Sequence, residues 1–167
     1  PNSCMCRIAA MAYMLTTAKL LKSKPPRVNV VCDDGRAFQG VAMFVGNGAL
    51  YGGQFPLFRR ANNSDQLLDV VIFKESGYQF VRDTLRGLAK GGIDPQSPGD
   101  SVEYIQAAGL KVSCQESVPV EVDGEFWGRS KEIEFASLGS KLEVLAPQEV
   151  KASRWYALLR TLNPWTH

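Results

Sequence analysis

The chain has 167 residues, enough for one domain or two small ones and too few for a large multidomain enzyme. Hydrophobic residues make up 45% of it and charged residues 22%, a balance that excludes a disordered tail and predicts a packed core. Nineteen basic and 17 acidic side chains leave a net charge of +2, which excludes a protein held to nucleic acid by charge. Because the first residue is Pro1 and not Met, we expect a fragment or a processed product.

The cysteine and histidine content excludes several kinds of site. Zinc needs three or four Cys, His or carboxylate ligands at workable spacing, and a lone Cys-x-Cys near one end does not supply them. The single histidine, His167, is the last residue, which excludes a Ser-His-Asp or Cys-His arrangement inside the fold. We expect reduced, buried thiols in a cytoplasmic protein. The four cysteines are Cys4, Cys6, Cys32 and Cys114.

The most apolar N-terminal stretch runs from Ile8 to Leu21 and is interrupted by Thr16, Thr17 and Lys19. It is too short to span a bilayer, and no cleavage-site pattern of a signal peptide follows it. The sequence therefore predicts neither a membrane span nor a secretory signal.

Helical and strand periods alternate in the first third of the chain. Apolar residues at helical spacing predict a helix from Ser3 to about Lys22, which the prolines at 25 and 26 end. Alternation predicts a strand over Val28–Cys32, a hairpin turn at Asp34-Gly35 and a second strand over Arg36–Val45. The glycine-rich residues 46–53 have no regular period and predict a loop.

The middle of the chain predicts one buried strand and one helix. Leu67–Phe73 is a short run of branched apolar residues, typical of a buried strand. A helix is predicted over Gly77–Lys90, with Gly91 and Gly92 as its stop. The residues expected on its apolar face are Val81, Leu85 and Leu88.

The last third predicts short strands followed by a helical tail. The apolar stripe of the tail suggests a helix from Gln148 to Leu162. The chain as a whole therefore reads as one β-rich domain with two or three helices. The strands are predicted over Ser101–Ala107, Leu110–Gln115, Val118–Asp123, Lys131–Phe135 and Lys141–Leu145.

The first feature that could carry chemistry is the glycine-rich segment over residues 45–53. Glycines let backbone approach a ligand closely, and a glycine run after a strand can offer N–H groups to phosphate. No Lys-Ser/Thr follows it, so it is not a Walker A loop, and it does not open a helix as a dinucleotide fingerprint does. Taken alone, it predicts a tight loop between strands.

The second feature is the segment Val120–Glu125. Asp-Gly between strands is above all a hairpin signal. The alternative is that Asp123 and Glu125 lie beside a cleft, one as a general base and the other as a nucleotide or metal contact. Neither feature is decisive alone.

The order of these features along the chain is more specific than either one. Gly46-Asn47-Gly48 and Tyr51-Gly52-Gly53 are followed by Asp65-x-Leu67-Leu68-Asp69-Val70-Val71, a helix, and Val118–Glu125 before a strand ending at Ala146-Pro147. This series resembles the C-terminal half of the diacylglycerol kinase/sphingosine kinase family, including the bacterial YegS-type lipid kinases. The resemblance covers roughly residues 3–147.

The resemblance implies a β-rich α+β fold, a two-layer β-sandwich of the NAD kinase/diacylglycerol kinase C-terminal type over residues 1–147. Residues 148–167 would be a helical extension. The N-terminal nucleotide-binding domain, with its Gly-Gly-Asp-Gly-Thr loop, is absent from the chain. The implied partners are that domain and a lipid substrate. The protein would be cytoplasmic, with a peripheral contact to the membrane. Whether it forms a homodimer through its sheet edges stays open.

The resemblance also implies a role for individual residues. Asp123 would be the base for the lipid hydroxyl, and Glu125 would face the ATP phosphoryl donor or its Mg²⁺. Asp65, with the backbone of Asn62 and Leu67, would hold a structural Mg²⁺. The residues implied to line the cleft near the substrate are Asn47, Gly52, Gly53 and Gly124.

The chain departs from the family pattern at Gln54, Arg59, Arg60 and Gln66. If the glycine usual at position 66 needs positive φ, Gln66 costs on the order of 1 kcal/mol there and reshapes the metal loop. The two arginines face phosphate or anionic head groups in one interpretation and are only solvated in the other. Phe55 and Phe58 contact acyl chains or pack in the core, with the sequence favouring neither.

Two rivals to an active lipid kinase remain open. One is a noncatalytic lipid-binding or interaction module derived from the same fold, which the departures favour. The other is a kinase of the related NAD or polyphosphate-using type, but the Leu-Leu-Asp-Val-Val run and the Val-Asp-Gly-Glu turn together resemble the lipid branch more. A Gly-Gly-Asp-Gly-Thr element encoded upstream of Pro1 would favour the enzyme.

Overall fold

A computed structural model describes residues 25–51, 55–96 and 101–139. The helix predicted over residues 3–22, the strand predicted over 141–145 and the predicted tail helix lie outside these residues. The chain divides into two compact units, Pro1–Ser137 and Leu138–His167. All elements named below belong to the first unit.

The described residues form nine strands and one helix, arranged in antiparallel sheets. One sheet has the strand order β2-β1-β8-β9, a second has the order β3-β6-β7, and β4 pairs with β5. The predicted β-rich fold with two layers is thereby confirmed. The elements are β1 Val28–Cys32, β2 Ala37–Gly40, β3 Ala42–Gly46, β4 Leu50–Tyr51, β5 Phe55–Pro56, β6 Leu68–Phe73, α1 Tyr78–Ala89, β7 Val102–Ala107, β8 Gly109–Val122 and β9 Glu125–Ala136.

The first hydrophobic core lies between the four-stranded and the three-stranded sheet. Strand β1 buries every second residue, as the alternation in its sequence predicts, while Val31 on its other face is exposed. The inward-facing residues of both sheets form one cluster, which holds the two layers together. Its buried members are Val28, Val30, Cys32, Val70, Ile72, Ile105, Ala107, Leu110 and Val112.

A second core covers the other face of the three-stranded sheet. Strand β6 therefore has apolar partners on both faces, which explains its unbroken run of branched residues. Phe58 is 2% exposed in this cluster. It therefore packs in the core and does not contact acyl chains. The buried members are Leu57, Phe58, Val71, Phe73, Phe80, Ile93, Val102 and Tyr104.

The single strand predicted over Arg36–Val45 is wrong, because the chain changes sheets in its middle. Strand β2 pairs with β1, whereas β3 pairs with β6 in the other layer. The crossing point is Gly40, where a Cβ atom would lie 2.5 Å from Ile72 Cγ2 and 2.6 Å from the carbonyl oxygen of Phe73. Only glycine permits this approach, and the next amide, that of Val41, donates to Phe73 O at 2.8 Å.

The predicted helix and its glycine stop are confirmed as α1, but its buried face differs from the expected one. Leu85 is 50% exposed, while Phe80 and Asp83 are buried. Phe80 packs against Phe73 with ring centroids 4.5 Å apart, which sets the rotation of the helix on the sheet. The helix ends with Gly92 N–H donating to the carbonyl of Gly87, a bond typical of a glycine C-cap.

The strands predicted over Leu110–Gln115 and Val118–Asp123 are one strand, β8. Both halves pair with β9, with a register shift between Ser113 and Val118 that marks the predicted break. Cys32 is buried, as predicted, whereas Cys114 is only half-buried, and burial raises the pKa of both thiols.

Candidate functional site

Asp123 and Gly124 form the two-residue turn between β8 and β9. Their φ angles are 52° and 90°, and a two-residue turn of type I′ requires positive φ at both positions. Aspartate tolerates this region better than most residues because its short side chain can hydrogen-bond locally. The hairpin predicted from the Asp-Gly pair is confirmed, and the turn fixes Asp123 at its outermost point.

The end of this hairpin is exposed and partly apolar. Asp123 and Glu125 are both exposed, and Val122, Phe126 and Trp127 beside them are 50%, 70% and 70% exposed. A register irregularity leaves Trp127 without a cross-strand partner, which makes a β-bulge next to the turn. Carboxylates flanked by exposed aromatic rings form a surface suited to contact with another molecule.

A hydrogen bond joins this hairpin to the glycine-rich segment. The hydroxyl of Tyr51 donates to Glu121 Oε1 at 2.9 Å. Tyr51 is itself fixed by an edge-to-face contact with Phe44, with ring centroids 5.2 Å apart. The pair therefore brings β4 and the hairpin end together, a role for Tyr51 and Glu121 that the sequence did not predict.

The residues expected to line the cleft have different surroundings. Asn47 is exposed in the turn between β3 and β4, while Gly52 and Gly53 lie outside the described residues. Gly46 has a packing role, because a Cβ atom there would lie 2.4 Å from the ring of Phe58. The glycine-rich segment therefore combines a core contact with an exposed turn.

Asp65 lies in the loop that leads into β6. Its Oδ1 accepts the backbone N–H of Leu67 at 3.0 Å, and its own N–H donates to the carbonyl of Asn62 at 3.2 Å. Gln66 between them has a φ of 62°, so the backbone there is of the kind that favours glycine. The predicted free-energy cost of Gln66 depends on a positive φ at this position, and the structure shows that φ.

Asp69 is a fully buried carboxyl group beside this loop. Its Oδ1 accepts the hydroxyl of Tyr104 at 2.6 Å and the side-chain amide of Gln106 at 3.0 Å. Burial raises the pKa of Asp69 above its ordinary value, the two hydrogen bonds lower it, and the charge of Asp65 raises it further. Burial likewise raises the pKa of Tyr104.

Oxygen donors in the Asp65 loop fit a hard cation such as Mg²⁺. Asp69 Oδ2 is buried and has no hydrogen-bond partner among the described residues, and Asp65 is close enough to shift the pKa of Asp69. Mg²⁺ takes carboxylate and carbonyl oxygens and keeps several waters. Within residues 25–51, 55–96 and 101–139, no group of three or more His, Cys, Asp or Glu could hold a metal, so backbone carbonyls would have to complete the ligands.

No helix in the described part of the chain is both long and apolar enough to cross a bilayer.

A family model for the YegS C-terminal NAD kinase beta sandwich-like domain matches residues 1–146. Two solved structures of candidate diacylglycerol kinases from Bacillus anthracis str. Sterne are also similar. The first is 25% identical over 76% of this chain and 43% of its own length, with a TM-score of 0.59. The second is 22% identical over 73% and 41%, with a TM-score of 0.56, and supports the fold alone.

The chain thus spans less than half the length of these two structures. No curated protein matches it in sequence at a significant level. The family match confirms the resemblance stated from the sequence.

Proposed function

Because the chain belongs to the family of YegS C-terminal NAD kinase beta sandwich-like domains, we propose that it is the C-terminal half of an ATP-dependent lipid kinase. The substrate would be a hydroxyl group of a diacylglycerol, a sphingoid base or a similar lipid. The observation that carries the proposal is the family match over residues 1–146, together with an exposed acidic turn at Asp123-Gly124. A nucleotide-binding half, absent from this chain, would complete the site.

Asp123 is the group that accepts the proton in the proposed reaction. The lipid hydroxyl gives its proton to the Asp123 carboxylate while its oxygen attacks the γ-phosphorus, and ADP leaves. Mg²⁺ bound with ATP would offset the charge on the phosphates. A general base must reach the reacting hydroxyl, and the type I′ turn holds the Asp123 carboxylate outermost on the hairpin, where a substrate can approach it.

Neighbouring residues would position the substrates. Glu125, the residue after the turn, would face the nucleotide or its metal ion. Tyr51 and Glu121 would hold the glycine-rich segment against the hairpin, so that Asn47 lies near the lipid head group. Asp65 would hold the structural Mg²⁺ with the backbone carbonyls of its loop. Such an enzyme would work in the cytoplasm and touch the membrane that supplies its lipid.

The test is ATP-dependent lipid phosphorylation by a protein that carries both halves, with the variant Asp123→Asn. Asn-Gly is a favoured type I′ pair, so the turn survives while the base is lost. We expect kcat to fall by about 100-fold or more. Asp34→Asn is the matched control, because Asp34-Gly35 follows β1 on the same sheet and is also exposed. Undiminished activity of Asp123→Asn would remove Asp123 as the base.

A noncatalytic lipid-binding module is the alternative. The strained Gln66 in the predicted metal loop favours it, because a glycine would relieve the positive φ there. Under this alternative the unaltered two-domain protein binds lipid vesicles and transfers no phosphate to them. Measurable phosphorylation above the rate of Asp123→Asn would exclude it.

A further inference from the structure

A cleft at the C-terminal end of α1 has positive side chains on both sides. It has a volume of about 50 Å³, and Arg59, Arg86 and Lys90 line it together with Asp94. Arg86 and Lys90 come from the end of the helix, whereas Arg59 comes from the segment that follows β5. We call these four residues the basic cleft.

The charges in the basic cleft are not balanced. Arg59 Nη1 lies 3.1 Å from Asp94 Oδ2, but neither Arg86 nor Lys90 has an acidic partner in the described part of the chain. Three cations and one carboxylate give the cleft a charge of +2, equal to the net charge of the entire chain. Such a concentration of like charge attracts an anion to this place on the surface.

Helix capping accounts for only part of this arrangement. A positive side chain in the last turn of a helix offsets its dipole, which is sufficient for Arg86, and Lys90 directly follows that turn. Arg59 lies outside the helix, and its guanidinium is oriented by Asp94, whose other oxygen accepts the N–H of Gln96 at 3.0 Å. A third cation placed over the helix end by a fixed carboxylate requires a different explanation.

The backbone holds Arg59 rigidly at the cleft. Gly92 has a φ of 123°, and a Cβ atom there would lie 3.0 Å from Arg59 Cβ, so glycine permits the close approach. The N–H of Ile93 donates to the carbonyl of Leu57 at 2.9 Å, and Phe58 forms a bridge with Ile93. Phe58 and Ile93 are both buried, so the bridge between them fixes the segment that carries Arg59 next to the end of the helix. The cleft is therefore preorganised before any ligand binds.

We propose that the basic cleft binds a phosphate group. The planar guanidinium groups of Arg59 and Arg86 suit the paired oxygens of phosphate, and the ammonium of Lys90 adds a compact charge. The phosphate would belong to an anionic lipid head group or to a soluble phosphate ester. None of the residues proposed for catalysis lines the cleft, so this proposal does not rest on the lipid kinase proposal.

The test compares two triple variants of the 167-residue chain. Arg59→Gln, Arg86→Gln and Lys90→Gln remove the basic cleft. The control variant carries Arg27→Gln, Lys111→Gln and Lys131→Gln, which remove the same charge from exposed positions on the four-stranded sheet or directly before its strand β1. One arm titrates glycerol 3-phosphate by calorimetry. The other measures sedimentation with phosphatidylcholine vesicles that contain a minor share of phosphatidylglycerol. Circular dichroism checks that both variants are folded.

We expect the affinity of the cleft variant for the probe to fall about tenfold or more. The affinity of the control variant should fall at most about threefold. If the cleft variant loses affinity for glycerol 3-phosphate, the natural ligand is a soluble ester. If it loses affinity only in the vesicle arm, the natural ligand is a lipid head group. The proposal is overturned if the unaltered chain binds neither probe. It is also overturned if the two variants lose affinity equally in both arms.

A second variant, Asp94→Asn, tests the same site in the opposite direction. Asn keeps an oxygen acceptor for the N–H of Gln96 and removes the one negative charge of the cleft. We expect affinity for the bound probe to rise about threefold or more, because Arg59 no longer pairs with a carboxylate while the backbone contacts of Gly92 and Ile93 still hold its segment at the cleft. Unchanged or weaker binding would show that the anion binds elsewhere.

Discussion

Asp69 has no exposed surface and lies in a strand that otherwise buries only apolar side chains. Tyr104 and Gln106 on the neighbouring strand both donate to its Oδ1, while Oδ2 has no partner among the described residues. Removing a carboxylate from water disfavours the charged form, and burial is the main reason that its pKa is raised. Asp69 therefore links the stability of the fold to pH.

The sign of this linkage leads to a prediction for Asp69→Asn. A raised pKa means that the folded chain binds the proton more tightly than the unfolded one. The unaltered protein therefore loses stability as pH rises from about 4, the unfolded value, through the folded pKa. Asn cannot ionise, so the free energy of unfolding of the variant should rise relative to that of the unaltered protein over this range. Urea denaturation at several pH values measures the difference, and a pH-independent difference would contradict the argument.

Single residues also mark what the sequence could and could not predict of the candidate site. The Asp123-Gly124 turn was predictable because its signal is local, a dipeptide suited to positive φ between two strands. The Tyr51–Glu121 bond joins residues 70 apart, and the Asp69–Tyr104 bond joins residues 35 apart. No local pattern specifies such pairs, which depend on how strands far apart in the sequence come together.

At the scale of elements, the predictions are correct where one hydrophobic periodicity runs through the whole element. They are wrong where the packing of the sheets changes the path of the chain within such a stretch. The strand β6 and the helix α1 follow from an apolar run and a helical stripe. The change of sheet at Gly40 has no signal in the alternation, because the same residues could continue as one strand. The sequence predicts two strands where β8 is one. The predicted break coincides with the register shift between Ser113 and Val118, where the pairing with β9 is irregular.

The crossing at Gly40 is expected to be intolerant of a side chain. Gly40→Ala places a methyl group 2.5 Å from Ile72 Cγ2 and 2.6 Å from a backbone carbonyl that cannot move without breaking β6. We expect the free energy of unfolding to fall by about 3 kcal/mol. Gly48→Ala is the matched control, since a Cβ atom there meets nothing within 4 Å. Equal stability of the two variants in urea would show that the two sheets do not meet at Gly40.

At the scale of the whole described unit, the parts that hold the fold and the parts proposed for chemistry are separate. Two clusters of buried side chains pack the faces of the three-stranded sheet. The hairpin end beyond Val118 and Ser130 contributes no buried residue to either cluster. The basic cleft lies at a helix end, where Arg59, Arg86 and Lys90 are exposed. Substitutions at both places can therefore change function while the cores stay intact.

This separation predicts that the hairpin end tolerates substitution. Because Trp127 is 70% exposed and Glu125 is exposed, Glu125→Gln and Trp127→Ser should each change the free energy of unfolding by less than about 0.5 kcal/mol. Val30 is fully buried between the sheets, and Val30→Ala should cost about 2 kcal/mol. Urea denaturation of the three variants tests the contrast. If the hairpin variants lose as much stability as Val30→Ala, the hairpin is part of the folding core, and lost activity in its variants could no longer be assigned to the site.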